Sequence, residues 1–273
     1  MKTALLQMSI SDDKQKNIEK AISFLEQSKQ QCVDIAILPE MFCCPYATEN
    51  FPLYAEKQCG MIWQSLSNAA KQYHMYVVGG SIPEREENGA IYNTCYVFDR
   101  EGKQIAKHRK MHLFDINVLG GQYFKESDTL TAGNDITVFD TEFGKIGICI
   151  CYDIRFVELS RIMALEGANI IIVPAAFNMT TGPAHWELSF RARALDNQVY
   201  TIGVAPARNE YADYVSYGNS IVVSPWGEVI TRLSEKEEIA FCDIDLNEVY
   251  KIRQELPILA HRREDIYILK RKE

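Results

Sequence analysis

The chain has 273 residues, of which 47% are hydrophobic and 24% are charged, a composition typical of a globular protein. Its net charge of −8 leaves no surplus of Lys and Arg for neutralising phosphates, which argues against nucleic acid as the main partner and against a polybasic membrane patch. No apolar run approaches the roughly 20 residues that span a bilayer, and no targeting segment is visible, so we expect a cytoplasmic protein without a membrane partner.

Strand-like and helix-like segments alternate along the first half of the chain. Apolar alternation or short apolar runs predict strands over residues 4–8, 33–38, 76–81 and 91–98. Apolar residues at helical spacing predict helices over residues 14–30 and 54–73. A turn with Gly102 separates the fourth strand from the segment that follows it.

The second half continues the alternation. It predicts strands over residues 136–139, 145–151, 169–176, 200–205, 220–223 and 239–244, and helices over residues 156–166, 183–198 and 246–255. About ten strands, many of them apolar on both faces, need two packed sheets with helices outside. Because no linker rich in Gly, Ser or Pro interrupts the pattern, we expect one α/β domain over residues 1–273.

The eight cysteines do not predict disulfides or a metal site. The chain is large enough to form a stable core without disulfides, so reduced thiols are expected. No Cys-x-x-Cys pair occurs, and Cys43-Cys44 has no His partner at the spacing of a zinc site, so no metal is expected. Cys149 and Cys151 are expected on opposite faces of one strand, with one thiol buried and the other at a site.

Three motifs place a reactive residue at or just after the end of a predicted strand, the edge at which α/β sheets form ligand sites. Glu40 follows an apolar strand and Pro39, Lys110 lies in the basic run 107–110, and Cys151 stands at a sharp joint between strand and helix. Taken singly, each has an ordinary interpretation. These are a solvated loop carboxylate, a charged strand face and a small buried hydrophobe.

Taken together, a carboxylate, an ammonium and a thiol make a consistent nucleophilic site. A free thiol is mostly protonated at neutral pH, and a neighbouring Glu40 carboxylate can take its proton during attack. A Lys110 cation stabilises the thiolate and the oxyanion that follows. The same carboxyl group, once protonated, can donate to a leaving amine. The backbone N–H of Tyr152, next to Cys151 at the joint, is expected as a second oxyanion donor.

The motifs around Glu40, Lys110 and Cys151 resemble, in order, the three signatures of the nitrilase, or carbon–nitrogen hydrolase, superfamily. The resemblance implies a Glu–Lys–Cys triad, a four-layer α-β-β-α sandwich with two mixed sheets, no cofactor, and a homodimer. Segments 110–116, 124–127, 176–187, 191–200 and 224–228 are similar to its ω-amidase branch, which hydrolyses the terminal amide of short α-keto dicarboxylate monoamides such as α-ketoglutaramate and α-ketosuccinamate. By the same resemblance, Glu126 is a second glutamate that holds Lys110 and the substrate.

A small amide substrate with a carboxylate at its far end requires a cation. Arg155 is the candidate, because a guanidinium binds a carboxylate through two hydrogen bonds; the alternative is an internal salt bridge with Asp153 or Glu158. The resemblance suggests Phe177 and Thr181 as lining residues.

Four further residues lie near the candidate site. Tyr46 is a weaker candidate for contact with substrate. His185 and Trp186 are expected to pack or hydrogen-bond rather than to transfer protons. Glu187 is expected to brace the site from behind.

Two alternative functions stay open at this stage. One is a different amidase of the same superfamily, acting on an N-carbamoyl compound, a deaminated glutathione-like amide or an aliphatic amide. The other, from a different class, is a non-catalytic binding protein that retains the fold, against which the three intact reactive residues argue.

Overall fold

The computed structural model describes residues 1–272. Six α-helices occur in this part of the chain: α1 Lys14–Gln30, α2 Asn50–Tyr54, α3 Met61–Tyr73, α4 Val157–Leu165, α5 Gly182–Asn197 and α6 Leu246–Glu255. The strands are β1 Lys2–Gln7, β2 Ile35–Ile37, β3 Tyr76–Val78, β4 Ile82–Arg85, β5 Ile91–Phe98, β6 Gln104–Arg109, β7 Asp115–Asn117, β8 Tyr123–Lys125, β9 Thr137–Thr141, β10 Gly144–Ile148, β11 Ile170–Pro174, β12 Tyr200–Val204, β13 Ile221–Val223, β14 Val229–Arg232 and β15 Glu238–Asp243.

A seven-stranded mixed sheet forms one half of the molecule. Its order is β15-β1-β2-β3-β5-β4, with β6 also paired to β5, and β1, β2 and β3 run parallel. The two faces of β1 bury different neighbours because side chains alternate along a strand. Leu5 belongs to the core between the two sheets. Ala4 and Leu6 belong to a second core with Leu25 of α1 and Leu66 of α3.

A six-stranded mixed sheet forms the other half, in the order β14-β13-β12-β11-β10-β9, with β10, β11 and β12 parallel. Helices α4 and α5 cover its outer face, and Phe190 of α5 is so close to β12 that a side chain at Gly203 would collide with its ring. The layers are therefore helix, sheet, sheet and helix, which confirms the predicted α-β-β-α sandwich. A separate hairpin of β7 and β8 lies between Lys110 and Glu126 in the sequence.

Several element boundaries differ from the prediction. The helix expected over residues 54–73 begins only at Met61, as α3, because the backbone is extended at Ala55 and at Gly60; Tyr54 is the last residue of the separate helix α2. The strand expected over residues 145–151 ends at Ile148, so Cys149 and Cys151 do not alternate across a strand, and both are buried. Fifteen strands replace the expected ten or so in residues 1–272, since several have only three residues.

Candidate active site

Glu40 lies three residues beyond the end of β2, in a turn that points its side chain into the protein. The next residue, Met41, has a φ of +50°, and its N–H donates to the hydroxyl of Ser81 at 3.0 Å. A non-glycine residue in this left-handed region is held there by its surroundings at some energetic cost. The Glu40 carboxylate is fully buried.

Cys151 opens a short 3₁₀ turn, Cys151–Arg155, that links β10 to α4. Its φ of +49° is another left-handed backbone at a non-glycine residue, as expected for a sharp joint between strand and helix. The side chain is 4% exposed. Tyr152 follows within the same turn, and the first N–H groups of a helical turn lack acceptors inside that turn.

Lys110 directly follows β6. It is buried although it ends a basic run, because the other basic side chains of that run have different partners. Lys107 and Arg109 are partly exposed and bind Glu84, so the charged strand face considered as an alternative also exists. Lys110 has no exposed surface, and its ammonium lies 2.9 Å from Oε1 of Glu40 and 2.9 Å from Oε1 of Glu126.

Glu126 begins a 3₁₀ turn after β8 and is fully buried. Its Oε2 accepts the backbone N–H of Phe114 at 2.6 Å, while its Oε1 accepts from Lys110 and, at 2.6 Å, from the hydroxyl of Tyr46. Both oxygens are therefore occupied by protein donors. This arrangement fixes the carboxylate against the ammonium.

The two oxygens of Glu40 have different surroundings. Oε1 accepts from Lys110 and Asn93, each at 2.9 Å, and from the Tyr46 hydroxyl at 3.1 Å. Oε2 is buried and has no hydrogen-bond partner among the nitrogen and oxygen atoms of residues 1–272. One oxygen is thus saturated, and the other is available for a proton.

The charges of this cluster shift its pKa values. Burial raises the pKa of the Cys151 thiol well above its usual range, the Glu40 carboxylate raises it further, and the Lys110 ammonium opposes the rise. Burial by itself lowers the pKa of Lys110, but the carboxylates of Glu126 and Glu40 outweigh burial and hold it well above its usual range. Burial raises the pKa of Glu126, and Lys110 counteracts part of that rise. The resting site therefore combines a neutral thiol with a charged ammonium.

Arg155, at the end of the Cys151 turn, does not form the internal salt bridge considered as an alternative. Its guanidinium lies 4.7 Å from the ring centroid of Phe177 and donates to Nδ1 of His185 at 3.0 Å. Its Nε is buried without a partner among the described residues. The carboxylate of Asp153 instead accepts from His108 and His112. Burial lowers the pKa of Arg155, while the proximity of Cys151 raises it.

The segment around α5 fulfils its expected roles only in part. The N–H of Thr181 donates to Oδ1 of Asn178 at 2.9 Å, immediately before α5. Trp186 is fully buried and donates to the carbonyl of Asn219 at 2.7 Å, as expected for a packing residue. Glu187 was expected behind the site, but it pairs with Arg232 at 2.6 Å on the surface.

A cavity of about 640 Å³ opens beside the cluster. Glu40, Cys44, Tyr46, Ala176 and Tyr214 contribute to its wall, whereas Arg155, Phe177 and Thr181 do not. Cys43 and Cys44 are both buried, and no disulfide joins any of the eight cysteines, all of which are in the described part of the chain.

Sequence reasoning missed three polar residues of the site. Asn93 binds Glu40 from the middle of β5, Tyr214 donates its hydroxyl to the carbonyl of Ala176, and Asp153 connects several segments. Asn93 carried a usable signal, since a polar side chain at a buried position of an apolar strand needs a partner. Tyr214 lies in a loop without a comparable pattern.

Residues 1–272 lack two features that other classes of protein require. In this range, no group of three or more His, Cys, Asp and Glu side chains is arranged to hold a metal ion. No helix in the same range combines the length and the apolar character that crossing a membrane requires.

Comparison with known proteins gives one consistent result. The family model described as carbon–nitrogen hydrolase matches residues 2–254. The chain is 48% identical over 269 residues to "Omega-amidase NIT2" of Bos taurus and 48% identical over 269 residues to the protein of the same name from Homo sapiens, covering 98% of this chain and 97% of each relative. Among solved structures, Nit3 of Saccharomyces cerevisiae, described as a member of branch 10 of the nitrilase superfamily, superimposes with a TM-score of 0.89 at 41% identity over 96% of each chain.

Proposed function

The chain belongs to the carbon–nitrogen hydrolase family, and from this premise we propose that it is an ω-amidase. It hydrolyses the terminal amide of short α-keto dicarboxylate monoamides, such as α-ketoglutaramate and α-ketosuccinamate, to the dicarboxylate and ammonia. Near-full-length relatives named omega-amidase support this substrate class. The buried carboxylate, ammonium and thiol support the chemistry of a cysteine amidase.

Glu40, Lys110 and Cys151 form the catalytic triad of this proposal. Glu40 takes the proton of the Cys151 thiol as the sulfur attacks the amide carbon. The tetrahedral oxyanion lies between the Lys110 ammonium and the backbone N–H of Tyr152. Collapse of this intermediate breaks the C–N bond, Glu40 returns its proton to the departing ammonia, and a thioester remains.

Water then completes the reaction at the same residues. Glu40, again a carboxylate, takes a proton from water as its oxygen attacks the thioester carbonyl. The C–S bond breaks, the free acid leaves, and the proton held by Glu40 returns to the sulfur of Cys151. No metal or organic cofactor takes part in this scheme.

The observation that carries the proposal is the asymmetry of the Glu40 carboxylate. Oε1 is occupied by Lys110, Asn93 and Tyr46, whereas the buried Oε2 has no nitrogen or oxygen partner among the described residues. A buried carboxylate oxygen without a partner costs free energy unless a group in the site uses it. We assign the Cys151 thiol as that group, since burial and the charge of the Glu40 carboxylate both raise the pKa of this thiol.

Tyr46 and Glu126 keep the ammonium in place. Burial and the two carboxylates raise the pKa of Tyr46 well above its usual range, so its hydroxyl stays protonated and its single proton is shared between Glu126, at 2.6 Å, and Glu40, at 3.1 Å. Glu126 balances the charge of Lys110 and takes no part in proton transfer in this scheme. Tyr46 also lines the cavity and is placed to contact substrate.

We assign recognition of the distant carboxylate to Arg155, which lies over the ring of Phe177, and we propose Phe177 and Thr181 as lining residues. The guanidinium is oriented by the Phe177 ring and by His185, while its buried Nε keeps a donor without a partner in the described chain. Such a donor suits a carboxylate, which binds Arg through parallel hydrogen bonds. Arg155→Lys should raise the KM for an anionic amide, and an unchanged KM would show that the assignment is wrong.

The proposed function is tested by measuring ammonia release from α-ketoglutaramate, with glutamine and an N-carbamoyl amino acid measured in parallel. Wild-type protein should act on the keto-amide, and Cys151→Ala should not. Cys149→Ala is the matched control, because Cys149 is a buried thiol two residues away and takes no part in the scheme. The control should retain turnover.

The other outcomes discriminate between alternatives. Turnover of the N-carbamoyl compound alone would keep the triad and replace the substrate class. Turnover that survives in Cys151→Ala would overturn the nucleophile. No turnover of any amide, together with binding of the keto-amide, would favour the non-catalytic binding protein.

We further propose a homodimer formed through the outer face of α5. Leu188 and Leu195, seven residues apart on this helix, are 66% and 45% exposed, while its inner residues Phe190 and Ala194 are fully buried. Large exposed apolar side chains on one helix face suit a subunit interface. Leu188→Glu combined with Leu195→Glu should convert the dimer to a monomer in sedimentation velocity, and a wild-type monomer would contradict the proposal.

The remaining proposals concern domain organisation and location. We infer one catalytic domain, because the family model covers residues 2–254 and both sheets contribute to one core. We infer a cytoplasmic location, because eight cysteines without a disulfide suit a reducing compartment. Detection of the native protein in a compartment other than the cytosol would contradict this location.

A further inference from the structure

A buried carboxylate connects the segment that carries Lys110 to the turn that carries Cys151. Asp153 is fully buried, two residues after the nucleophile. Its Oδ1 accepts the backbone N–H of His112 at 2.9 Å and is 2.8 Å from Nδ1 of the same residue. Its Oδ2 accepts the backbone N–H of Ile150 at 3.0 Å and is 3.2 Å from Nε2 of His108.

These four contacts join the two sheets. His108 lies in β6 of the seven-stranded sheet, whereas Ile150 follows β10 of the six-stranded sheet. His108 and His112 stand two residues before and two residues after Lys110, and Ile150 directly precedes Cys151. Asp153 therefore touches both flanks of the lysine and the residue before the nucleophile.

The protonation state of the cluster follows from its geometry. An ionised carboxylate only accepts hydrogen bonds, so four surrounding donors match it completely. Burial disfavours the charge, but the hydrogen bonds from His108 and His112 outweigh burial and lower the pKa of Asp153 below its usual range. Nε2 of His108 and Nδ1 of His112 then carry protons. The ring of His112 also stacks on Phe156, with centroids 3.6 Å apart.

We propose that Asp153 is a positioning residue that sets the placement of the Lys110 ammonium relative to the Cys151 sulfur. The proposal rests on the proposed mechanism, in which both groups act on one carbonyl carbon. The two residues arise from different sheets, and packing between sheets alone does not specify atomic positions to the tolerance that catalysis needs. A misplacement of about 1 Å can cost about 10²-fold in rate.

The test is Asp153→Asn, which preserves size but places an NH₂ group against donors that an oxygen had satisfied. We expect kcat on the keto-amide to fall by about 10²-fold, as for such a misplacement, with little change in KM. Alkylation of Cys151 by iodoacetamide, quantified on its peptide by mass spectrometry, should slow as well. This readout needs no amide substrate, so it stays informative if the substrate class is wrong.

Asp34→Asn is the matched control for a purely structural effect. Asp34 also ties distant segments, accepting from the N–H of Lys2 at 2.8 Å and from Arg100 at 2.7 Å, but it contacts no residue of the triad. It should lower thermal stability and leave kcat and Cys151 alkylation unchanged. Equal losses of kcat in the two variants at equal folded fraction would overturn the proposal.

His112→Ala keeps the proposal testable if Asp153→Asn does not fold. The His112 side chain is 30% exposed, so its removal is milder, and it takes away one donor to Asp153 and the stack on Phe156. A folded His112→Ala protein should show a smaller fall in kcat and in the Cys151 alkylation rate, at unchanged KM. Wild-type values of both quantities, or a rise in KM alone, would refute the positioning role.

Discussion

Replacement of Lys110 by Met is the sharpest test of how charge works in the buried site. The change removes an ammonium that lies 2.9 Å from each of two carboxylate oxygens and leaves Glu40 and Glu126 without their common cation. Met has nearly the same length and apolar stem, so packing changes little. The effect on rate and stability then reports the charge itself.

The expected loss of rate follows from the role of the ammonium as an oxyanion donor. Removal of one such donor commonly costs about 10²–10³ in kcat, or about 2.7–4 kcal/mol. We expect kcat on α-ketoglutaramate to fall by at least this factor, since Lys110 also orients Glu40. The assay is ammonia release with substrate above KM.

The pH dependence gives a second readout with a definite sign. In the native site Lys110 lowers the pKa of Glu126 while burial and Glu40 raise it, so loss of the ammonium must raise this pKa further. The loss of unfolding free energy, about 3–5 kcal/mol for a buried pair that loses one partner, should be largest above that pKa and smaller below it, where a proton neutralises one carboxylate.

Lys107→Met is the matched control for this experiment. Lys107 lies in β6, three residues before Lys110, and pairs with the buried Glu84, but its side chain is 25% exposed and it has no hydrogen bond or ion pair with the triad. It should reduce stability slightly and leave kcat unchanged. A fall of less than about tenfold for Lys110→Met, well short of the loss of an oxyanion donor, would refute the assigned role, as would equal effects of the two variants.

Three other substitutions test separate parts of the structure. Tyr46→Phe removes a hydroxyl that donates to both carboxylates, and kcat measured by ammonia release should fall by about ten- to a hundredfold, the value of a hydrogen bond to a charged group; a wild-type kcat would contradict this. His185→Ala removes the acceptor that orients Arg155, so KM for the keto-amide should rise by about two- to tenfold while kcat holds, and an effect confined to kcat would count against it. Glu84→Gln should lower the unfolding free energy by about 1–3 kcal/mol at pH 7 in urea denaturation. The pKa of Glu84 is lowered, chiefly by Arg109 against the opposing effect of burial, so its contribution is present above the unfolded pKa and is lost as pH falls through the folded value. A difference between the Glu84→Gln and native proteins that does not shrink as the pH falls from 7 through the acid range would contradict this.

Much of the architecture follows from local patterns in the sequence. The predicted bounds of α1, β5 and α6 agree with the structure residue for residue, because each segment has a clear apolar period and a defined end. The hairpin strands β7 and β8, by contrast, have three residues each, too few for alternation to be recognised. Their pairing depends on contacts that the sequence does not display locally.

The candidate site, like the fold, could be predicted from the sequence only in part. Glu40 and Cys151 were selected because each lies at or just after the end of a predicted apolar strand, and Lys110 was selected because it ends a basic run that leads into apolar residues. Asp153 was considered only as a partner of Arg155, its near neighbour in the sequence. Its actual partners are His108, in β6 of the opposite sheet, and His112, in the loop that follows β6, and no pattern within one segment encodes that meeting.

The net charge of the buried cluster bears on which substrates it accepts. One ammonium faces two carboxylates, so Lys110, Glu40 and Glu126 together carry a charge of about −1 while the thiol is neutral. An anionic substrate that entered this site would be repelled unless a second cation met its carboxylate. Arg155 supplies that charge next to Cys151, and its Nε retains an unused donor within the described chain. If Arg155 binds substrate as proposed, we expect an amide with a carboxylate at its far end to be preferred over a neutral amide, because the carboxylate can accept from the buried Nε.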